Sequence, residues 1–247
     1  MRYRDRTIRS VGELIRAIHD RAEPGRTVWY RGQSNRAWGL TPSLARNPAH
    51  PDAEIALLKR FKQNALPHLS VQPHEEWEWL FLMQHHRVPT RLLDWSESPL
   101  AGLYFVVEEH PNEHGALWCL DPVALNAHAR ISFRFELEIP AFGHDEIMEN
   151  YLPSRIASEA TSELNPVAAI GPRNSPRIVA QLGVFTITHR AHTPVEGVAD
   201  SKHVWRLIVP AEEKARIKEE LALLRYTRLT LFPELDSVAD EAKEVLP

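Results

Sequence analysis

Long apolar runs are missing from this chain of 247 residues. No stretch approaches the roughly 18 consecutive apolar residues that a membrane-spanning helix needs. The N-terminal residues 1–6 are charged and have no apolar region behind them, so the sequence predicts no secretory signal. We therefore expect a cytoplasmic protein with no membrane partner.

Cysteine and net positive charge are also scarce, and each shortage excludes a class of protein. The single cysteine, Cys119, rules out an internal disulfide, and its apolar neighbours favour a small buried side chain over a reactive thiolate. The formal net charge of −4 argues against a general nucleic-acid binder, which needs a basic face to neutralise phosphates. With 43% hydrophobic and 25% charged residues, the composition is that of an ordinary globular protein.

Hydrophobic periodicity predicts a mixture of helices and strands. No repeat, linker or shift in composition marks a boundary, so we expect one α+β domain over residues 1–247, with its core at about 26–236 and an N-terminal helix within 1–25. Helices are predicted at 11–21, from Asp52 to Pro67, at 75–86, after Ser98, at 211–224 and after Ser237; strands are predicted at 26–31, 115–120, 131–139, 183–189 and 203–209, and a loop at 165–176.

Two polar clusters interrupt apolar, strand-like sequence and indicate one site built from distant segments. Tyr30-Arg31-Gly32 ends the first strand, and an arginine beside a glycine at a strand end suits an anion. The second cluster lies at 89–99, where Ser98-Pro99 predicts a helix start whose free amides favour a phosphate. Structural roles stay open: Arg31 could pair with Asp94, Arg91 could pair with Asp94, and Ser96 and Ser98 could be helix caps.

The predicted helix at 75–86 is apolar around its circumference and ends in Gln84, His85 and His86. His85 is a candidate general base or a stacking partner for a nucleobase. The alternative is that these side chains hydrogen-bond the last carbonyls of the helix. No metal site is predicted, because Pro111 interrupts the helical spacing between His110 and His114.

The motifs at 30–33, 84–85, 89–96 and 98–105, followed by Arg177-Ile178 and Gln181-x-Gly183-x-Phe185-Thr186, resemble the FRG domain family. The resemblance extends from about residue 29 to 236. Arg87 departs from the pattern, since the family is expected to have a small residue such as glycine there, and this change alters the turn or adds a cation at the mouth of the site. Members occur largely in bacteria and phages, which implies a toxin or antiphage-defence effector with a candidate antitoxin or regulatory partner.

A more distant resemblance connects the chain to ADP-ribosyltransferases of the arginine, serine, glutamate type. Arg31 matches the arginine, Ser96-Glu97-Ser98 matches the serine motif, and Gln181 stands where the glutamate is expected. The resemblance implies split, mixed and largely antiparallel β-sheets flanked by helices, with NAD as the candidate substrate. Glutamine cannot carry a negative charge, so Asp94, Glu97, Glu136 and Glu138 are alternative carboxylates.

Three classes of function stay open from the sequence. The first is an enzyme that consumes NAD by ADP-ribosyl transfer or glycohydrolysis, the second is a nuclease acting with or without a metal, and the third is a module that binds a nucleotide or a protein without turnover. A protein or nucleic-acid target is a candidate partner in each. The candidate catalytic residues are Arg31, Gln181 and His85; the candidate substrate-binding residues are Tyr30, Gly32, Gln33, Gln84, Arg91, Asp94, Ser96 and Ser98.

Overall fold

A computed structural model describes residues 1–47, 53–129, 139–158, 163–243 and 245–246. Seven strands form one sheet in the order β1-β7-β4-β2-β3-β6-β5. The strands are β1 (Arg6–Thr7), β2 (Trp29–Gln33), β3 (Leu92–Ser96), β4 (Gly115–Leu120), β5 (Val167–Ala169), β6 (Gly183–Ile187) and β7 (Val204–Val209). The helices are α1 (Val11–His19), α2 (Glu54–Ala65), α3 (Glu76–His85), α4 (Pro99–Val107), α5 (Pro122–His128), α6 (Pro153–Ser158), α7 (Pro176–Ala180), α8 (Lys214–Leu223), α9 (Arg228–Leu231) and α10 (Leu235–Lys243).

The sheet is mixed and largely antiparallel, as predicted. In the described part of the chain β1 and β7 are parallel, and every other neighbouring pair is antiparallel. The predicted split into separate sheets is wrong, because β2 and β3 join the two halves. They pair at one position, Tyr30 with Ser96, whereas β2 pairs with β4 along its whole length. The sheet is therefore continuous but weakly joined at its centre.

Helices cover one face of the sheet in two groups, one over each half. Helices α1, α4 and α8 pack on the half that contains β2, β4 and β7, around Tyr30, Leu117 and Leu207. Helices α2 and α3 pack on the half that contains β3, β5 and β6, around Leu92 and Phe185. The opposite face buries a third cluster, which includes Trp29, Trp95 and Trp118.

Local sequence signals explain where several helices begin. Ser10 accepts a hydrogen bond from the Glu13 amide at 3.1 Å and caps α1, and Ser98 accepts one from the Ala101 amide at 3.2 Å and caps α4. Helix α2 ends at Ala65, just before a short 3₁₀ turn that contains Pro67. These helices, the buried α3 and the strands β4, β6 and β7 agree with the predicted elements to within a few residues.

Other element predictions are wrong or lie outside the described residues. The predicted loop at 165–176 contains β5, a three-residue edge strand, and the start of α7. Helix α10 starts at Leu235, so Ser237 is buried within it and does not cap it. The strand predicted at 131–139, with Glu136 and Glu138, lies outside the described residues except for residue 139, and so does the predicted cap Asp52. Within the described ranges, no helix is long and apolar enough to cross a membrane.

Candidate functional site

Arg31 lies on β2 where that strand separates from β3. Its Nη1 donates a hydrogen bond to the main-chain oxygen of Asp94 at 2.7 Å, so a side chain bridges the strands beyond their single backbone pair. Its Nε is buried and has no partner among the described residues. Burial lowers the pKa of the guanidinium to about 10, which still leaves it charged at neutral pH. Arg31 is therefore a partly desolvated cation with unused donor capacity.

Arg31 lines a cavity of about 800 Å³, which we call the arginine cavity. Five arginines face it, against two glutamates, and they come from segments that are far apart in the sequence. This imbalance favours a ligand that carries several negative charges. The charged lining residues are Arg31, Arg46, Arg87, Arg177, Arg228, Glu108 and Glu109, and the aromatic ones are Trp38, Phe105 and Phe232.

Gly32 also lines the cavity, but tight packing gives a separate reason for a glycine there. A Cβ at Gly32 would lie 2.0 Å from the main-chain oxygen of Gly102 and 2.8 Å from the Phe105 Cβ. Gly102 is tight too, since its own Cβ would lie 3.0 Å from the Tyr30 Cβ. The glycine in the Tyr-Arg-Gly motif thus lets α4 lie directly against β2.

Tyr30 and Gln33, predicted to bind substrate, make contacts inside the protein. The Tyr30 ring is buried in the core under α4, and burial raises the pKa of its hydroxyl. Gln33 donates to the Gly39 carbonyl at 2.9 Å and accepts from the Trp118 indole at 2.8 Å. Gln33 reaches the edge of the arginine cavity, yet its amide is committed to holding the turn that follows β2.

Ser96 and Ser98 have structural partners, as the helix-cap alternative predicted. The Ser96 hydroxyl donates to the Gln181 main-chain oxygen at 2.6 Å and accepts from the Ser98 amide at 2.9 Å. The Ser98 hydroxyl caps α4 and lies 3.3 Å from the Tyr226 hydroxyl. Neither serine lines the arginine cavity.

Four predicted residues line a second, small pocket of about 50 Å³: Gln84, His85, Asp94 and Gln181. Arg177 lines this pocket and the arginine cavity, so the two are neighbours. The exposed carboxylate of Asp94 accepts a hydrogen bond from Gln84 Nε2 at 3.0 Å. The charge of Asp94 also acts on Arg31 and opposes the lowering of the Arg31 pKa. The structure thus brings Arg31, Asp94 and Gln181 to adjoining pockets.

Gln181 and His85 also contact the C-terminal segment. Gln181 Nε2 donates to the Leu231 carbonyl at 3.0 Å, and His85 Nε2 lies 3.8 Å from a carboxylate oxygen of Glu234. Burial, the neighbouring His86 and Arg177 lower the pKa of His85, and Glu234 opposes that shift. The lowered pKa favours the neutral imidazole of His85, the form that a general base requires.

Arg91 does not pair with Asp94, and that prediction is wrong. Its Nε donates to both carboxylate oxygens of the buried Glu54, at 2.8 and 2.7 Å. Its other nitrogens donate to the main-chain oxygens of Thr188 and Tyr151. With 1% of its surface exposed, Arg91 ties three segments together and lies outside both pockets. The sequence did not indicate Glu54 as the partner of Arg91, because the two residues are 37 positions apart.

Sequence reasoning missed most of the arginine cavity. Arg46 and Arg228 carry no motif that marks them, and Arg177 was noted only as part of the family pattern. The sequence did give a signal for Arg87, because the family is expected to have a glycine or another small residue at its position. The structure agrees with that expectation, since the φ of Arg87 is +60°, in the left-handed region that glycine favours. Arg87 does line the arginine cavity. Within the described ranges, no group of three or more His, Cys, Asp or Glu side chains could hold a metal.

Comparison with known proteins identifies a segment in the N-terminal half of the chain. The model of the FRG domain family matches residues 26–115, which include β2, β3, α4 and the predicted motifs from Tyr30 to Ser98. No curated protein and no solved structure matches the chain. The more distant resemblance to ADP-ribosyltransferases therefore stays a prediction. Residues 26–115 of this protein are an FRG domain, the family that its motifs predicted.

Proposed function

We propose that the arginine cavity binds a nucleotide with two or more phosphates, with NAD as the candidate ligand. The observation that carries this proposal is the lining of five arginines against two glutamates. Guanidinium groups bind phosphates through paired hydrogen bonds, and Arg31 is already partly desolvated, so it loses little hydration when it binds an anion.

The size and lining of the cavity suit such a ligand. Its volume of about 800 Å³ falls within the usual range for small-molecule sites. Aromatic rings from Trp38, Phe105 and Phe232 add flat apolar surface beside the arginines. A pyrophosphate attached to ribose and a base uses both kinds of surface.

Cleavage of NAD is the reaction that the adjoining small pocket supports best. The bond from ribose C1′ to the nicotinamide nitrogen would break, and nicotinamide would leave with the bonding electron pair. Water or an acceptor nucleophile would then add to C1′ and lose a proton. Positive charge develops on the ribose in this step, and Asp94 is the carboxylate best situated to stabilise it. The side-chain oxygen of Gln181 is left to accept from a ribose hydroxyl.

A binding experiment tests the ligand. Isothermal titration of NAD, ADP, AMP and adenosine should give affinity that rises with the number of phosphates and falls as salt is added. Arg31→Ala should weaken NAD binding at least about tenfold, because it removes a charge-assisted contact. Arg60→Ala, on the exposed face of α2 and outside the cavity, is the matched control and should bind as the wild type does. Equal affinity in the wild type and Arg31→Ala would refute the proposed site.

A turnover experiment tests the chemistry separately. Nicotinamide release is measured at NAD concentrations above the dissociation constant, with Asp94→Asn as the test variant. Glu97→Gln is its control, because Glu97 is exposed and paired with Arg173. Binding without release would remove the catalytic part of the proposal and leave a binding module. If NAD is consumed, expression of the wild type should arrest cell growth, the behaviour of a toxin, and Asp94→Asn should relieve the arrest.

A further inference from the structure

Trp38 is a large aromatic side chain left open at the edge of the arginine cavity. It is 45% exposed and lies in the turn that follows β2. Its ring stands perpendicular to that of His110, with centroids 5.2 Å apart. A perpendicular neighbour covers at most one face of the indole, so a flat apolar surface remains beside the charged lining.

The turn that carries Trp38 is held from several sides. Gln33 donates to the Gly39 carbonyl at 2.9 Å, and the Arg36 amide donates to the His114 carbonyl at 2.7 Å. The buried ammonium of Lys214 donates to the Ser34 carbonyl at 2.7 Å. An exposed ring on a fixed turn loses little conformational freedom when it contacts a ligand.

Phe105 and Phe232, the other two aromatic residues of the cavity, already pack against side chains of the protein. The guanidinium carbons of Arg177 and Arg228 lie 4.6 and 5.6 Å from the ring centroid of Phe232. Phe105 packs edge-on against Phe232, at 5.8 Å between centroids. Among the aromatic residues that line the cavity, Trp38 therefore offers the most accessible face.

We propose that Trp38 is the base-stacking residue of this site, so that the ligand is a nucleotide whose base lies on the indole while its phosphates face the arginines. The inference rests on the proposed function and adds the part of the ligand that the arginines do not recognise. Stacking on an aromatic residue is tolerant of base identity, so it selects for the presence of a base.

Comparison of ADP with inorganic pyrophosphate tests the inference. Trp38→Ala should weaken ADP binding by roughly 5- to 100-fold and leave pyrophosphate binding unchanged, because only ADP has a base. Trp38→Phe should recover most of the lost affinity. The control is Ile15→Ala, which removes an exposed apolar side chain of α1 that does not line the cavity.

Each remaining outcome identifies a different error. ADP binding that is unchanged in Trp38→Ala overturns the stacking role and leaves the anion site intact. Equal losses for ADP and pyrophosphate mean that Trp38 supports the turn, which also overturns the inference. Wild-type protein that binds neither compound refutes the proposed function itself, and the stacking role with it.

Discussion

Adding one methyl group at Gly32 should strongly destabilise the protein. The Cβ of an alanine there would lie 2.0 Å from the Gly102 oxygen, a main-chain atom that no rotamer change can move. Ordinary contact requires about 1.4 Å more, so α4 would have to retreat from β2 by roughly that distance. Helix α4 is buried along most of its length, including Leu103, Tyr104 and Val106.

The packing sets the size of the effect. Inserting a methyl into a well-packed core usually costs about 1–3 kcal/mol, and a gap of 0.5–1 Å forfeits a quarter to a half of each contact along it. We expect Gly32→Ala to lower the free energy of unfolding by about 3 kcal/mol or more. For a chain of this size, that loss lowers the melting temperature by about 6–12 °C.

Urea unfolding followed by circular dichroism measures the change, with Gly12→Ala as the matched control. Gly12 lies in α1, where the nearest atom to an added Cβ is 3.8 Å away. Its replacement should stabilise the protein, by up to about 1 kcal/mol, because alanine restricts the unfolded chain. If Gly32→Ala matches the wild type to within about 0.5 kcal/mol, the close approach of α4 to β2 is wrong.

Three further predictions follow from the structure. Glu54→Gln should cost about 3–5 kcal/mol in urea unfolding, because it leaves the buried guanidinium of Arg91 without a counter-charge; a loss below about 1 kcal/mol would contradict the buried pair. Burial, aided by Arg91, lowers the pKa of His189 from 6.5 to about 4, so the unfolded state binds more protons between these values and stability should fall by up to about 3 kcal/mol as pH drops through that window. His189→Asn should reduce this loss, and an unchanged pH dependence would exclude His189 as its source. Ser98→Ala should cost about 1 kcal/mol of stability and leave nucleotide affinity unchanged. If urea unfolding shows no loss of stability and titration shows weaker nucleotide binding, Ser98 is a ligand contact.

Local signals in the sequence identified parts of the candidate site. The Tyr-Arg-Gly motif indicated Arg31, which does line the arginine cavity. The cap at Ser98 gave the start of α4, because a serine followed by proline acts within one helical turn. The apolar setting of Cys119 predicted its burial, which is confirmed and raises the pKa of its thiol.

The rest depended on distances that a sequence does not give. Arg91 pairs with Glu54 and not with Asp94, although Asp94 is only three residues away. The sequence order of Arg31, Ser96 and Gln181 was suggestive, yet Ser96 contacts the backbone of Gln181. Polar side chains choose partners by where the strands and helices meet, and sequence spacing does not report this.

The sequence by itself determined the FRG domain and the starts of several helices, and it indicated Arg31 as a candidate site residue, since these depend on short motifs, caps and periodicity. Only the tertiary structure decided that Gly32 serves the packing of α4, that β2 and β3 meet at a single residue pair, and that arginines from five separate segments face one cavity. The physical reason is the distance along the chain over which each kind of interaction acts. Caps and periodicity act over a few neighbouring residues, whereas packing contacts and the summed charge of a cavity arise when distant segments come together.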